Sequence, residues 1–270
     1  MSIIKTAAIQ LNSQPNLDTN MIEVYRWLER ASSVGAKLIC LPENFAFMGN
    51  ENERLEQAAI ISDTVESCLK EWAEELDVYI LCGGYPVPAE NGKVFNRSIL
   101  INPAGEIQAA YNKMHLFDVE LSDEEVYRES EMVQAGMDVV VTELTKYSMK
   151  VGLSICYDIR FPELYRQQAD QGADIFTIPA AFTRPTGRAH WEILLRARAI
   201  ENSAYVVAPA QTGKHGDKRE TWGRAMIIDP WGRVLSNAGT EPGMAVADIT
   251  SVRLTEIRRK LPALEHRKMN

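Results

Sequence analysis

The chain has 270 residues, 46% of them hydrophobic, and a formal net charge of -8. That is enough apolar content for a full globular core. The acidic balance, with no dense Lys/Arg cluster, excludes a nucleic-acid-binding face, and no apolar stretch is long enough to cross a membrane. Length alone leaves one or two domains open. Without a linker we expect a single domain over 1–270, its core over about 3–250 and a helix and tail over 251–270.

The N-terminus runs into a strand-like segment with no signal-peptide pattern, which predicts a cytoplasmic protein. Cys40, Cys68, Cys82 and Cys156 form no CxxC and are read as free thiols of a reducing compartment. His115, His190, His215 and His266 are scattered, so neither a metal site nor a cofactor is expected.

Taken in order, residues 5–12 read as a strand and 19–33 as a helix with Met21, Val24, Leu28 and Ala31 on one face. A strand over 37–41, a helix over 54–76 and a strand over 78–85 follow. Residues 98–101 and 106–111 flank the turn sequence Asn102-Pro-Ala-Gly105 and predict a hairpin. The pattern then recurs: strand 150–156, helix 162–171, strand 175–180, helix 190–201, strand 205–211, and a hairpin around Asp229-Pro-Trp-Gly232. Residues 253–268 hold several Arg and Lys and read as a solvated terminal helix and tail.

Two α/β halves of similar build are implied. If each sheet carries helices on one face, the other face must be buried. Packing the sheets face to face gives a four-layer α-β-β-α sandwich of two mixed sheets with pseudo-twofold halves. A single doubly wound parallel sheet is the alternative, and the antiparallel hairpins argue against it.

Reactive groups follow three of these strands and hairpins. Cys156 ends an apolar run just before a helix starting near Pro162, a turn that can hold a nucleophile out of the sheet. Glu43 lies just past a buried strand in Leu38-Ile-Cys-Leu-Pro-Glu43-Asn, and Lys113 follows the first hairpin. A thiol at its ordinary pKa needs a base or a cation. A desolvated Glu43 can take its proton and hand it to a leaving amine. Lys113 and the Tyr157 backbone N–H can stabilise the thiolate and an oxyanion. Singly, each has a plainer reading: a surface carboxylate, a solvated ammonium, a small buried thiol. Spacing alone does not bring them together.

The segments LPEN, NKMHLFDVE, RES, SICYDIRFPELYR, PAAFTRPTGRAHWEILLRARAIEN and MIIDPWGRV resemble the nitrilase (carbon–nitrogen hydrolase) superfamily, in order and over nearly the whole chain. The resemblance implies the α-β-β-α sandwich and a triad of Glu43 (general base and acid), Lys113 (oxyanion stabiliser) and Cys156 (nucleophile). It places a second glutamate at Glu129, orienting Lys113 or substrate. It implies hydrolysis of a small-molecule amide by water through a cysteine thioester, with ammonia leaving, and homodimers or larger assemblies joined near the nucleophile turn and the C-terminal region.

Within the superfamily the chain resembles the branch holding deaminated glutathione amidase and ω-amidase, whose substrates carry an α-keto acid or carboxylate. Arg160 is then the expected carboxylate ligand, or else an ion-pair partner of Asp158 or Glu163. Phe182 and Thr186 match pocket-lining positions, with core packing the plain alternative for Phe182. Lys214, His215, Lys218 and Arg219 are read as rim cations suited to the longer deaminated glutathione, or as incidental loop charge. Residues 121–125 depart from the Pro/Gly-rich loop expected there. An ω-amidase acting on 2-oxoglutaramate or 2-oxosuccinamate is the alternative. A non-catalytic binding protein on this fold is less favoured, since every triad position is filled; a nitrile hydrolase is less favoured because Arg160 and the pocket residues suit a carboxylate-bearing amide, and an acyltransferase would need an acceptor pocket.

Overall fold

The computed structural model describes residues 2–121, 126–216 and 219–268. The first half runs β1 (Ile3–Leu11), α1 (Leu17–Ser33), β2 (Leu38–Cys40), α2 (Glu51–Glu56), α3 (Ala58–Leu76), β3 (Tyr79–Pro88), β4 (Val94–Ile101) and β5 (Ile107–Asn112). A connecting region holds β6 (Asp118–Glu120), β7 (Val126–Arg128), α4 (Glu129–Met132) and β8 (Val141–Leu144). The second half begins with β9 (Met149–Leu153), a 3₁₀ turn over Cys156–Arg160, α5 (Pro162–Asp170), β10 (Ile175–Thr177), α6 (Arg184–Asn202) and β11 (Tyr205–Ala208). β12 (Ala210–His215), β13 (Arg219–Trp222), β14 (Met226–Ile228), β15 (Val234–Asn237), β16 (Gly243–Thr250) and α7 (Ser251–Lys260) complete it.

Two sheets carry the fold. In one, the order β1-β2-β3-β4-β5 has three parallel strands followed by two antiparallel ones. In the other, β9-β10-β11-β14-β15 repeats that arrangement. The expected pseudo-twofold halves are present down to the turns. Asn102 Oδ1 accepts from the N–H of Ala104 and Glu106 (2.9 and 3.1 Å), and Asp229 Oδ1 accepts from Trp231 and Arg233 (3.0 and 2.8 Å).

The period-2 alternation of side chains sets the layers. Ile4 and Ala8 of β1, Leu38 and Cys40 of β2, and Tyr79 and Leu81 of β3 enter the core shared with the second sheet. Ala7 and Ile9, Ile39 and Leu41, and Ile80 and Cys82 pack instead with Met21, Val24, Leu28 and Ala31 of α1 and with Ile61, Val65, Leu69 and Ala73 of α3. A one-residue slip would exchange these two faces. Among the described residues no helix is long and apolar enough to cross a membrane.

Several boundaries differ from expectation. The helix predicted over 54–76 is two: an Asn50/Glu53 capping box starts α2, and the chain breaks at Gln57 before α3. The strand predicted to end at Cys156 ends at Leu153, leaving the cysteine in the 3₁₀ turn. The run 205–211 is divided at Pro209, β11 lying in the second sheet and β12 beside β1 in the first. The basic residues of α7 are partly engaged: Arg253 pairs with Asp229 (2.9 Å) and Arg258 with Asp174 (2.8 Å).

Close backbone approach explains Gly83. A Cβ there would sit 2.1 Å from the Pro42 carbonyl oxygen, beside a register shift in the β3/β4 pairing. Backbone cannot swing aside as a side chain can. Gly83→Ala is therefore expected to cost about 1–3 kcal/mol or more of stability and to displace Pro42 with its neighbour Glu43. Thermal unfolding and turnover of the variant check this, and a wild-type midpoint would refute it.

Candidate active site

Glu43, Lys113 and Cys156 meet at one end of the sandwich. Glu43 follows β2, Lys113 follows β5, and Cys156 opens the turn after β9, so three segments remote in sequence converge. All three are buried, at 3%, 2% and 8% exposure. Lys113 Nζ donates to Glu43 Oε1 (3.1 Å) and to both oxygens of Glu129 (3.0 and 2.8 Å). Glu43 Oε2 accepts from the Ala181 N–H (2.9 Å). Cys156 is held with φ at 49°, in the left-handed region that a non-glycine residue seldom occupies. Its own N–H donates to the Pro179 carbonyl (2.9 Å).

Asp158 fastens the nucleophile turn to the Lys113 segment. Its Oδ2 accepts from Ile155 N–H (2.8 Å) and the Tyr111 hydroxyl (2.7 Å), and its Oδ1 from the His115 N–H (3.0 Å) and ring Nδ1 (2.7 Å). The His115 ring stacks on Phe161 at 3.7 Å. Asn96 ties the two glutamates together, donating from Nδ2 to Glu43 Oε1 (2.9 Å) and Glu129 Oε1 (3.2 Å). Gly84 makes room for this bridge, since a Cβ there would lie 2.1 Å from Asn96 Oδ1.

Electrostatics fix the resting protonation. Burial raises the Glu43 carboxyl, but Lys113 and Arg219 outweigh it and bring the pKa down to about 2. Desolvation alone would raise a buried carboxyl; two nearby cations reverse the sign. Burial opposes charge on Lys113, yet Glu129, Glu43 and Cys156 together push its pKa up. Burial lifts the Cys156 thiol well above its ordinary value, Glu43 lifts it further, and Lys113 offsets only part. At rest the site therefore holds a carboxylate, an ammonium and a neutral thiol.

These groups line a cavity together with Tyr157, Phe182, Thr186 and Glu129. The Phe182 ring leans on Trp191 at 4.9 Å, and Thr186 and Thr183 share a hydroxyl hydrogen bond of 2.7 Å. Arg160 is not in the lining. Its guanidinium lies over the rings of Tyr157 (5.7 Å) and Phe182 (5.3 Å), with Nη1 3.3 Å from His190 Nδ1. It pairs with neither Asp158 nor Glu163 among the described residues.

Among the described rim residues, Arg219 reaches the cavity and Lys214 and His215 do not line it. His215 is a buried neutral imidazole between the Ser13 carbonyl (2.7 Å) and Thr221 Oγ1 (2.6 Å), its pKa lowered to about 4 chiefly by burial. Lys214 is exposed, Lys218 lies outside the described residues, and so do 122–125 of the stretch read as atypical. Sequence reasoning missed Asn96, Glu51 and Arg54. A polar amide inside the apolar run of β4 was the available signal for Asn96; the other two gave none.

The sequence family described as carbon-nitrogen hydrolase matches residues 5–259. The chain belongs to that family. A Synechocystis protein named deaminated glutathione amidase is 50% identical over 263 residues, spanning 97% of each chain. The mouse protein of that name is 38% identical over 267 residues, spanning 97% of this chain and 82% of its own. The crystal structure of the C. elegans NitFhit protein superposes with a TM-score of 0.93 at 36% identity, covering 99% of this chain and 66% of that one. The four-layer sandwich is thus the fold of this carbon–nitrogen hydrolase, as its sequence motifs implied.

The protonation pattern has a measurable consequence. Burial, then the charge and hydrogen bond of Glu43, hold the proton on Cys156, while Lys113 favours the thiolate. Glu43→Gln removes one opposing charge and leaves Lys113, so the thiol should titrate at lower pH than in the wild type. Thiolate absorbance followed against pH reads this directly. An unchanged or higher titration midpoint in Glu43→Gln would contradict the assignment.

Proposed function

We propose that the chain is an amidase that cleaves deaminated glutathione through a thioester on Cys156. The observation that carries the chemistry is the convergence of Glu43, Lys113 and Cys156 in one water-restricted cavity. The relatives named deaminated glutathione amidase, led here by 50% identity over nearly the full chain, support the substrate.

In this reading the Cys156 sulfur attacks the amide carbon while Glu43 takes the thiol proton. Transfer accompanies attack, because the resting thiol holds its proton too firmly for prior ionisation. The oxyanion is received by Lys113 Nζ and the Tyr157 backbone N–H. Glu129 positions Lys113: of its two bonds to the ammonium, one can be released to free a proton for the oxyanion while the other anchors the charge. Glu43 passes the proton to the leaving nitrogen, then deprotonates the water that releases the acid.

One detail of the expectation changes. Deaminated glutathione carries a secondary amide, so its leaving group is cysteinylglycine rather than ammonia, and the acid released is 2-oxoglutarate. Ammonia leaves only from a primary amide such as 2-oxoglutaramate. That second substrate stays in view because His215 is neutral and Lys214 stands outside the cavity lining, which removes part of the sequence argument for the longer substrate. Four free cysteines support a reducing compartment such as the cytosol.

Formation of 2-oxoglutarate from both substrates, measured side by side, tests the assignment. The kcat/KM should favour deaminated glutathione, with Cys156→Ala inactive and Lys113→Met down by about 10²–10³ or more in kcat. A preference for 2-oxoglutaramate moves the chain to the ω-amidase reading, and turnover by Cys156→Ala sinks the thioester. A homodimer through α6 and the C-terminal region is also proposed, supported by exposed Ile193, Ile200, Trp231 and Leu261. Light scattering should read twice the 30.3 kDa chain mass; a monomer at assay concentration would refute it.

A further inference from the structure

The cavity wall contains two guanidinium groups that the triad does not use. Arg54 projects from the short helix α2 and is only 8% exposed, yet lines the cavity. Its Nε and Nη2 find no hydrogen-bond acceptor among the described residues, and the same holds for Nε of Arg219. Arg219 enters from β13, its guanidinium 6.0 Å from the Tyr127 ring centroid and its Nη2 donating a long bond of 3.5 Å to the Ala181 carbonyl. Buried guanidinium N–H groups without acceptors are costly, and native proteins seldom keep them without a purpose.

The charges around the two arginines sharpen the point. Three cations (Arg54, Lys113, Arg219) and three carboxyl groups (Glu43, Glu51, Glu129) line the cavity. Lys113 is matched by direct bonds to Glu43 and Glu129. No hydrogen bond from either arginine to Glu51 is present among the described residues. Burial lifts the Glu51 carboxyl above its ordinary value despite the pull of Arg54 and Arg219, which lessens its opposition to an incoming anion. What the two guanidiniums lack is oxygen acceptors, and a carboxylate supplies them in the planar geometry that an arginine fork fits.

We infer that Arg54 and Arg219 form the seat for a substrate carboxylate, the role that the sequence had given to Arg160. The inference rests on the proposed amidase reading and deepens it by naming the groups that select a carboxylate-bearing amide. Deaminated glutathione offers two such groups: the 2-oxo acid end of the half acylated onto Cys156, and the terminal carboxylate of the leaving dipeptide. Arg160, over the outer rings of Tyr157 and Phe182, then shapes the wall without gripping substrate.

The test separates the two halves of the substrate. Calorimetric titration of the wild type with 2-oxoglutarate, and with alanylglycine as a thiol-free stand-in for the leaving dipeptide, is repeated on Arg54→Met, Arg54→Lys and Arg219→Met. We expect Arg54→Met and Arg219→Met to bind one of the two halves about tenfold to a hundredfold more weakly. Arg54→Lys, which keeps the charge and loses the fork, should fall between. Loss for 2-oxoglutarate assigns the seat to the acyl half, and loss for alanylglycine to the leaving half. Thermal midpoints and the rate of Cys156 alkylation by neutral iodoacetamide control for folding. Wild type that binds neither half, or either methionine variant that binds both as wild type does, overturns the seat. Arginine-dependent binding without hydrolysis of either amide would instead leave the seat standing and sink the proposed reaction.

Discussion

A lysine ammonium removed from water is tolerated only where fixed negative charge replaces its hydration, and Lys113 meets that condition through three oxygen contacts from Glu43 and Glu129. Much of the architecture serves this arrangement. Asn96 bridges the two glutamates from β4, the Ala181 N–H holds the remaining Glu43 oxygen, and Gln211 of β12 donates to the Glu43 carbonyl at 3.1 Å. The loops after β2, β5 and β10 and the strand β12 are thereby pinned by one buried charge. Without Lys113 the two carboxylates would face each other across Asn96 with no ammonium bonded between them, leaving only the longer-range pull of Arg219 and Arg54.

The same charge pattern defines an unusual resting nucleophile. A cysteine beside a lysine is commonly read as a thiolate, but here the carboxylate is also adjacent and burial penalises any new charge. The outcome is a protonated thiol held in strained backbone geometry, with Asp158 locking the turn from beneath. Reactivity is then conditional on a substrate carbonyl entering between sulfur and ammonium. Such a site spares its thiol from casual electrophiles in the empty enzyme, because the thiolate is scarcely populated.

The layer plan, both repeated halves and the grouping of Glu43, Lys113 and Cys156 at one site were legible in the sequence. Strand alternation and the near-identical turn phrases at Asn102 and Asp229 are local signals, and the triad came from motif resemblance rather than from spacing. What escaped were consequences of three-dimensional proximity. The sign of the Glu43 shift depended on Arg219, which lies far along the chain. Arg160 matched a family position, yet its guanidinium stacks over ring faces outside the cavity lining. Arg54 looked like one more charge on a polar helix, and only the fold reveals it as buried and within the field of Glu129 and Glu43. In the run 205–211 the available signal was Pro209 itself, which cannot donate to a ladder and marks the point where the chain leaves one sheet for the other.

That crossing carries a consequence for how the molecule is assembled in time. Of the described strands β1 is made earliest, and its partners include β12, paired at Gln10 and Leu11, and β16, paired from Ile3 to Gln10. Both partners are synthesised some 200 residues later, in keeping with the separations of 198 to 231 positions between bonded groups such as Ser13 and Gln211 or Gln10 and Glu241. During translation one long edge of β1 therefore waits, unpaired and apolar, until β12 and β16 have left the ribosome. Contacts of such long range fold slowly, and an open apolar edge invites pairing with other chains. The nascent chain is thus vulnerable to aggregation until β16 emerges and closes this edge of β1.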